Sequence, residues 1–189
     1  MSDPDPQLWL IRHGATEWSE NGRHTSYTDL PLLPAGEAAA RSLAPRLADH
    51  RFALVLTSPR QRARETARLA GFPDAEVDDD LVEWNYGECE GMTTAQLRQA
   101  QPGWSVWTAA IPGGETAADV AARVRRVIAR CAAAPGDALL FAHAHVLRVL
   151  TAVYLRFPPE AGAQFALDTA TINVLGHERE EETLRHWNA

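Results

Sequence analysis

The chain alternates short apolar runs with longer segments in which apolar residues recur every three or four positions. Runs such as 8–12 and 138–142 are brief and mostly apolar, which is typical of strands. The segments between them place apolar residues at helical spacing, as Leu43 with Leu47 and Val120 with Val124. Strands are predicted over 8–12, 52–57 and 138–142, with a short strand ending at Val77 and a terminal pair within 171–178 and 182–187.

Prolines and hydroxyl residues mark where the helices begin. Pro34 and Pro59 suit first helical turns, and Ser58 is positioned to cap the second of these helices. Thr93 followed by Gln96 matches a capping box. Helices are predicted over 34–48, 59–70, from the Thr93 cap to residue 100, and over 115–133 and 145–155.

Strands that alternate with helices favour an α/β layered fold with a mostly parallel central sheet flanked by helices. In such folds ligands bind at the carboxyl ends of the strands. Arg12, His13 and Gly14 follow the first strand, residues 58–62 follow the second, and His143 follows the buried strand at 138–142. If these strands are neighbours, we expect their polar side chains to converge.

Length and composition indicate a single globular domain over residues 1–189. Hydrophobic residues make up 46% of the chain and charged residues 23%, as in ordinary globular proteins. No apolar run approaches the roughly 18 residues of a membrane span, and the start MSDPDPQ lacks the features of a signal peptide. We therefore expect no membrane association and a cytoplasmic location, with Cys89 and Cys131 reduced.

The charge balance limits the partners. The net charge is −7, from 18 basic and 25 acidic residues, which argues against a nucleic-acid surface. An anion must therefore be bound by a local cluster of positive charge. Arg12 and Arg62 are candidates, because a guanidinium binds phosphate or carboxylate through two hydrogen bonds. The alternative for the segment around Arg62 is a solvated basic helix face.

Two histidines and one glutamate complete the candidate chemistry. His13 and His143 end predicted strands, and a neutral imidazole next to cations can attack phosphorus. The alternative is that both are packed, hydrogen-bonded side chains. Glu83 lies among apolar and aromatic residues, where a carboxyl is suited to hold and donate a proton, although it could simply cap or form an ion pair. Glu90 and Glu88 are weaker candidates.

Four motifs together resemble the histidine phosphatase superfamily, which has the phosphoglycerate mutase-like fold. In chain order they are LIRHG, TSPRQRARETA, LVEWNYGECEG and FAHAHVLR, and they cover nearly the whole chain. The resemblance implies that His13 is the nucleophile, that Arg12, Arg62 and His143 bind the phosphoryl group, and that Glu83 is the proton donor. It implies a phosphohistidine intermediate and no metal or other cofactor. It also suggests substrate-binding residues: Ser19, Ser26, Tyr27 and His145.

The resemblance favours a phosphatase that acts on small phosphate esters, in a branch that includes broad acid phosphatases and sugar-bisphosphate phosphatases. Only 21 residues separate Gly91 from Gly113, whereas mutases of the family usually carry longer insertions there. Phosphoglycerate mutase-type transfer and a non-catalytic phosphate-binding protein remain alternatives. A metallohydrolase using His143 and His145 is disfavoured, because residue 147 is Leu147 and not a carboxylate. The oligomeric state is left open, with a homodimer as one candidate.

Overall fold

A computed structural model describes residues 6–189 as one six-stranded sheet with helices on both faces. The α/β class with a mostly parallel sheet, predicted from the pattern, is confirmed. No helix within residues 6–189 is long and apolar enough to cross a membrane. The strands are β1 (Leu8–Arg12), β2 (Leu54–Thr57), β3 (Glu76–Val77), β4 (Ala138–Ala142), β5 (Ile172–Glu178) and β6 (Glu181–His186).

Six α-helices accompany these strands. They are α1 (Glu17–Asn21), α2 (Pro34–Leu47), α3 (Gln61–Leu69), α4 (Thr94–Ala100), α5 (Ala117–Ala132) and α6 (Ala144–Tyr154). Most lie within two residues of the predicted bounds. The pattern missed α1, a helix of only five residues, although Thr16 and Ser19 cap it reciprocally.

One predicted helix start is wrong. Helix α3 begins at Gln61 with Arg60 as its N-cap residue, not at Pro59 after a Ser58 cap. The Ser58 side chain is instead hydrogen-bonded to His143, at the end of the neighbouring strand. The serine therefore belongs to the group at the strand ends rather than to the helix.

The strand order is β3-β2-β4-β1-β5-β6, with β1 to β4 parallel to one another and β5 antiparallel to β1. Successive residues of the central strands face opposite sides: Leu10 and Leu140 pack with α5 and α6, whereas Ile11 packs with α2 and α3. Burial on both faces explains why β4 is apolar throughout, without alternation. This order makes the carboxyl ends of β2, β4 and β1 adjacent.

Candidate active site

The adjacent strand ends bring His13 and His143 together. The backbone N–H of His13 donates to the carbonyl of Ala142, the last residue of β4, at 2.9 Å. The two imidazole ring centroids are 5.2 Å apart in an edge-on arrangement. The expectation that these strand ends converge therefore holds.

The protonation of the His13 ring follows from the single hydrogen bond that the ring makes within residues 6–189. Nδ1 lies 2.7 Å from the carbonyl oxygen of Gly14, and because a carbonyl only accepts, Nδ1 must carry the proton. Nε2 then holds the free lone pair. Burial, with Arg62 and Arg12 nearby, places the pKa of His13 well below its usual value, so the ring is neutral at pH 7.

A close backbone contact fixes the turn after His13. The Gly14 N–H donates to the Thr66 hydroxyl at 3.0 Å. A Cβ on Gly14 would lie 2.5 Å from the Gly36 carbonyl oxygen, and one on Gly36 would lie 2.3 Å from the Ala15 oxygen. Both positions require glycine because the start of α2 packs directly on this turn.

His143 is fully buried and engaged at both nitrogens. Arg62 Nε donates to Nδ1 at 3.2 Å, so Nε2 carries the proton and donates to the Ser58 hydroxyl at 2.7 Å. Burial, followed by Arg62 and His13, places the pKa of His143 well below its usual value. The ring is therefore a neutral side chain with a fixed tautomer.

Arg62 is also fully buried, and most of its donors are taken. Beyond His143, its Nη1 and Nη2 donate to backbone carbonyls of residues 25, 26 and 28 at 3.1–3.3 Å. The Oδ1 atom of Asp29 is 3.8 Å from Nη1. Neither Arg62 nor His143 lines the cavity in front of His13.

Arg12 lines the cavity and has a buried donor without a partner among the described residues. Its Nη1 donates to the Leu167 carbonyl at 2.6 Å. Its Nε is buried and has no partner among residues 6–189. Burial lowers the pKa of Arg12, and the nearby Glu83 carboxylate opposes this effect. An unpaired buried donor of this kind favours an anionic ligand.

Glu83 is buried at the N-terminus of α6, where its carboxylate accepts three backbone hydrogen bonds. Oε1 accepts from Trp84 at 2.8 Å and from Val146 at 2.9 Å, and Oε2 accepts from His145 at 3.0 Å. The carboxylate therefore caps the helix that follows His143, and it also lines the cavity. The helix start and the candidate proton donor are a single structural unit.

A cavity of about 430 Å³ opens in front of His13. His145 lines it, with Nδ1 2.7 Å from the Tyr86 hydroxyl and 4.0 Å from Glu83 Oε2. Trp104 and Trp107 line the cavity and pack into the core as well. The wall is strongly aromatic, and its rings are Trp18, His24, Tyr86, Trp104, Trp107 and His145.

The cavity has far more positive than negative charge. Glu83 is its one carboxylate among the described residues, whereas Arg12, Arg23, Arg98 and Arg148 all line it. Arg148 stacks over the Trp107 ring at 4.8 Å and donates to the carbonyls of residues 162 and 163. In a chain of net charge −7, this is the local cationic cluster that anion binding requires.

The four predicted substrate-binding residues occupy different places. Ser19 and His145 line the cavity, whereas Ser26 and Tyr27 do not. Ser26 is buried, and its hydroxyl donates to the Glu83 carbonyl at 3.2 Å. Tyr27 is 58% exposed, with Arg60 stacked on its ring at 5.0 Å.

Sequence reasoning missed several residues of the cavity wall. Arg148 lies in the quoted motif FAHAHVLR, three residues after His145 in the predicted helix, so its helical spacing was a usable signal. His24, packed 4.7 Å from Tyr86, gave no such signal, because contacts between distant loops do not appear in a local pattern. Within residues 6–189, no group of three or more His, Cys, Asp or Glu side chains could hold a metal ion.

Comparisons with known proteins agree with the four motifs. A family model described as histidine phosphatase superfamily (branch 1) matches residues 8–189. The acid phosphatase of Mycobacterium tuberculosis (strain ATCC 25618 / H37Rv) is 38% identical over 91% of this chain and 87% of its own length. The sedoheptulose 1,7-bisphosphatase of Saccharomyces cerevisiae (strain ATCC 204508 / S288c) is 34% identical over 82% of this chain and 69% of its own.

Structural similarity extends over the same range. The solved structure of an open reading frame product from Mycobacterium tuberculosis is 36% identical to this chain. It superposes with a TM-score of 0.92 and covers 97% of both chains. With the family model matching from β1 to the last residue, this chain belongs to branch 1 of the histidine phosphatase superfamily.

Proposed function

We propose that this chain is a metal-independent phosphomonoesterase that hydrolyses small phosphorylated metabolites, sugar phosphates or bisphosphates, through a phosphohistidine on His13. The observation that carries the proposal is the tautomer of His13. The 2.7 Å hydrogen bond to Gly14 leaves the Nε2 lone pair available in a neutral ring that lines the cavity. A neutral, fixed imidazole among arginines suits nucleophilic attack on a phosphate.

The reaction has two steps. Nε2 attacks phosphorus and the bond to the ester oxygen breaks, while protonated Glu83 gives its proton to the leaving alkoxide. Water then attacks phosphorus and the P–N bond breaks. Glu83 accepts the proton of that water, inorganic phosphate leaves, and His13 and Glu83 return to their starting states.

The cations supply the electrostatic stabilisation in this proposal. Arg12 lines the cavity and has a buried Nε without a partner among residues 6–189, and an oxyanion would provide the acceptor it lacks. Arg62 lies 3.2 Å from His143 and acts with it on the equatorial phosphoryl oxygens. In the substrate-free arrangement Arg62 donates to the carbonyls of residues 25, 26 and 28, which leaves one Nη1 hydrogen for a phosphoryl oxygen.

Substrate recognition is assigned to the cavity wall. Ser19 and His145 are the predicted binding residues that line it, and we do not extend the assignment to Ser26 or Tyr27. The relatives named acid phosphatase and sedoheptulose 1,7-bisphosphatase support a phosphatase over a mutase.

The test is phosphate release from a panel of sugar mono- and bisphosphates, phosphoglycerates and nucleotides, with excess chelator, for the parent and His13→Ala. We expect the parent to release phosphate in chelator, and His13→Ala to lose at least about 10³-fold in rate. His13→Ala as active as the parent contradicts the proposal. Isomerised phosphoglycerate without free phosphate would support a mutase, and loss of activity that zinc restores would support a metallohydrolase.

A further inference from the structure

The loop of residues 25–28 is held between a buried cation and a carboxylate that the proposed reaction does not use. On one side is Glu90, whose two oxygens accept the Ser26 N–H at 2.8 and 2.9 Å. Its Oε1 also accepts the Thr28 N–H at 3.1 Å. Glu90 thus fixes this loop through its backbone donors.

Arg62 holds the same loop through its backbone acceptors. Nη2 donates to the carbonyls of Thr25 and Ser26 at 3.2 and 3.3 Å, and Nη1 donates to that of Thr28 at 3.1 Å. The peptide group joining Thr25 to Ser26 therefore has its oxygen on Arg62 and its N–H on Glu90. Opposite charges at the two ends of one peptide dipole strengthen both hydrogen bonds.

Arg62 depends on this loop for its orientation. The side chain is fully buried, and its nearest carboxylate within residues 6–189 is Asp29, 3.8 Å away and half exposed. Its other contact is with the neutral ring of His143. Without Glu90, the loop loses three hydrogen bonds on the side opposite Arg62, and the carbonyls that orient the guanidinium are free to move.

We propose that Glu90 is a positioning residue that sets the orientation of Arg62, and hence phosphate affinity, through the backbone of residues 25–28. The inference rests on the proposed function only in assigning phosphate to Arg62. Glu90 does not line the cavity and touches no reacting atom in this account.

The chain offers a matched control and a direct test of coupling. Glu88, two residues earlier, is exposed and has no contact with the 25–28 loop among the described hydrogen bonds and ion pairs. If Glu90 acts through Arg62, its removal costs nothing further once Arg62 is gone. A purely structural Glu90 would instead lower activity by the same factor in both backgrounds.

The experiment compares the parent, E90A, E90Q, E88Q, R62A and the double variant E90A/R62A. It measures p-nitrophenyl phosphate hydrolysis, calorimetric binding of inorganic phosphate, and the thermal midpoint of each protein. We expect E90A to weaken phosphate binding about tenfold and to lower kcat/KM by about 10²-fold, as misplacement of a binding group does. E90Q keeps one acceptor oxygen, and its phosphate affinity and kcat/KM should lie between those of E90A and the parent. It also keeps the test possible if E90A does not fold.

The remaining outcomes separate the two proposals. E88Q should match the parent, and E90A should change the R62A protein less than twofold. The inference would be overturned if E90A lowered kcat/KM by the same factor in the parent and in R62A, or if E90A and E90Q bound phosphate as tightly as the parent. A parent without hydrolytic activity would overturn the proposed function, and phosphate binding would still report whether Glu90 and Arg62 are coupled.

Discussion

Glu83 has two roles that substitution can separate: it caps α6 through three backbone hydrogen bonds, and it is the proposed proton donor. In Glu83→Gln, the amide oxygen can still accept from Trp84 and Val146, but the amide nitrogen faces the His145 N–H. The loss of that one bond costs about 1–3 kcal/mol of unfolding free energy. In Glu83→Ala, the buried N–H groups of Trp84 and Val146 also lose their acceptor, at about 2 kcal/mol each.

The activities of Glu83→Gln and Glu83→Ala should not follow their stabilities. Neither variant can protonate a leaving alkoxide, so both should lose about 10²–10⁴-fold in hydrolysis of an alkyl phosphate. The loss should be smaller for p-nitrophenyl phosphate, because its leaving group needs little protonation. Glu83→Gln should nevertheless exceed Glu83→Ala in stability by roughly 4 kcal/mol, the sum of the two buried donors.

Urea unfolding followed by tryptophan fluorescence measures the stabilities, and initial rates on the two esters measure the activities. Glu88→Gln is the control, since the same charge is removed from an exposed position in the same segment. If Glu83→Gln keeps more than a tenth of parental activity on the alkyl ester, Glu83 is not the proton donor. If the two variants are equally stable, the carboxylate does not support α6.

Two further predictions concern stability. Burial lowers the pKa of His13, His143 and His145 well below 6.5, so on acidification the unfolded chain binds protons at these residues before the native protein does. The unfolding free energy should therefore fall as the pH drops below 6.5, by up to about 1.4 kcal/mol per pH unit for each histidine. Denaturant titrations at several pH values measure this, and a stability that is flat between pH 7 and 5 would contradict it. Gly36→Ala should cost about 1–3 kcal/mol, because its Cβ would meet the Ala15 oxygen at 2.3 Å; an unchanged urea midpoint would show that α2 can move away.

Local patterns predicted the strands and most helices because burial of a strand or of a helix face requires a pattern of apolar residues among sequence neighbours. The unalternating apolar run of β4 and the capping box at Thr93 are read directly from neighbouring residues, and both elements form as predicted. The five-residue α1 is too short to show a helical period. The cap predicted at Ser58 relied on the general preference of serine for helix N-termini, but its side chain is hydrogen-bonded to His143 instead.

The site was predictable to the extent that it lies at strand ends. His13 and His143 follow β1 and β4, so the topology alone brings them together. The placement of Ser26 and Tyr27 was not predictable, because the path of their loop depends on Arg62 and Glu90, which lie 36 and 64 residues from Ser26. Arguments from spacing carry little information about such distant contacts.

The central position of β1 also affects how the chain is made. Strand β1 pairs with β4 and β5, and Gln7, just before it, bonds to Asp137, which lies 130 residues later. At a synthesis rate of about 5–20 residues per second, roughly 6–26 s pass between translation of these two segments. Throughout that interval the mostly apolar first strand has neither of its neighbouring strands. The nascent chain therefore carries an unpaired strand that can aggregate or bind chaperones until β4 emerges from the ribosome.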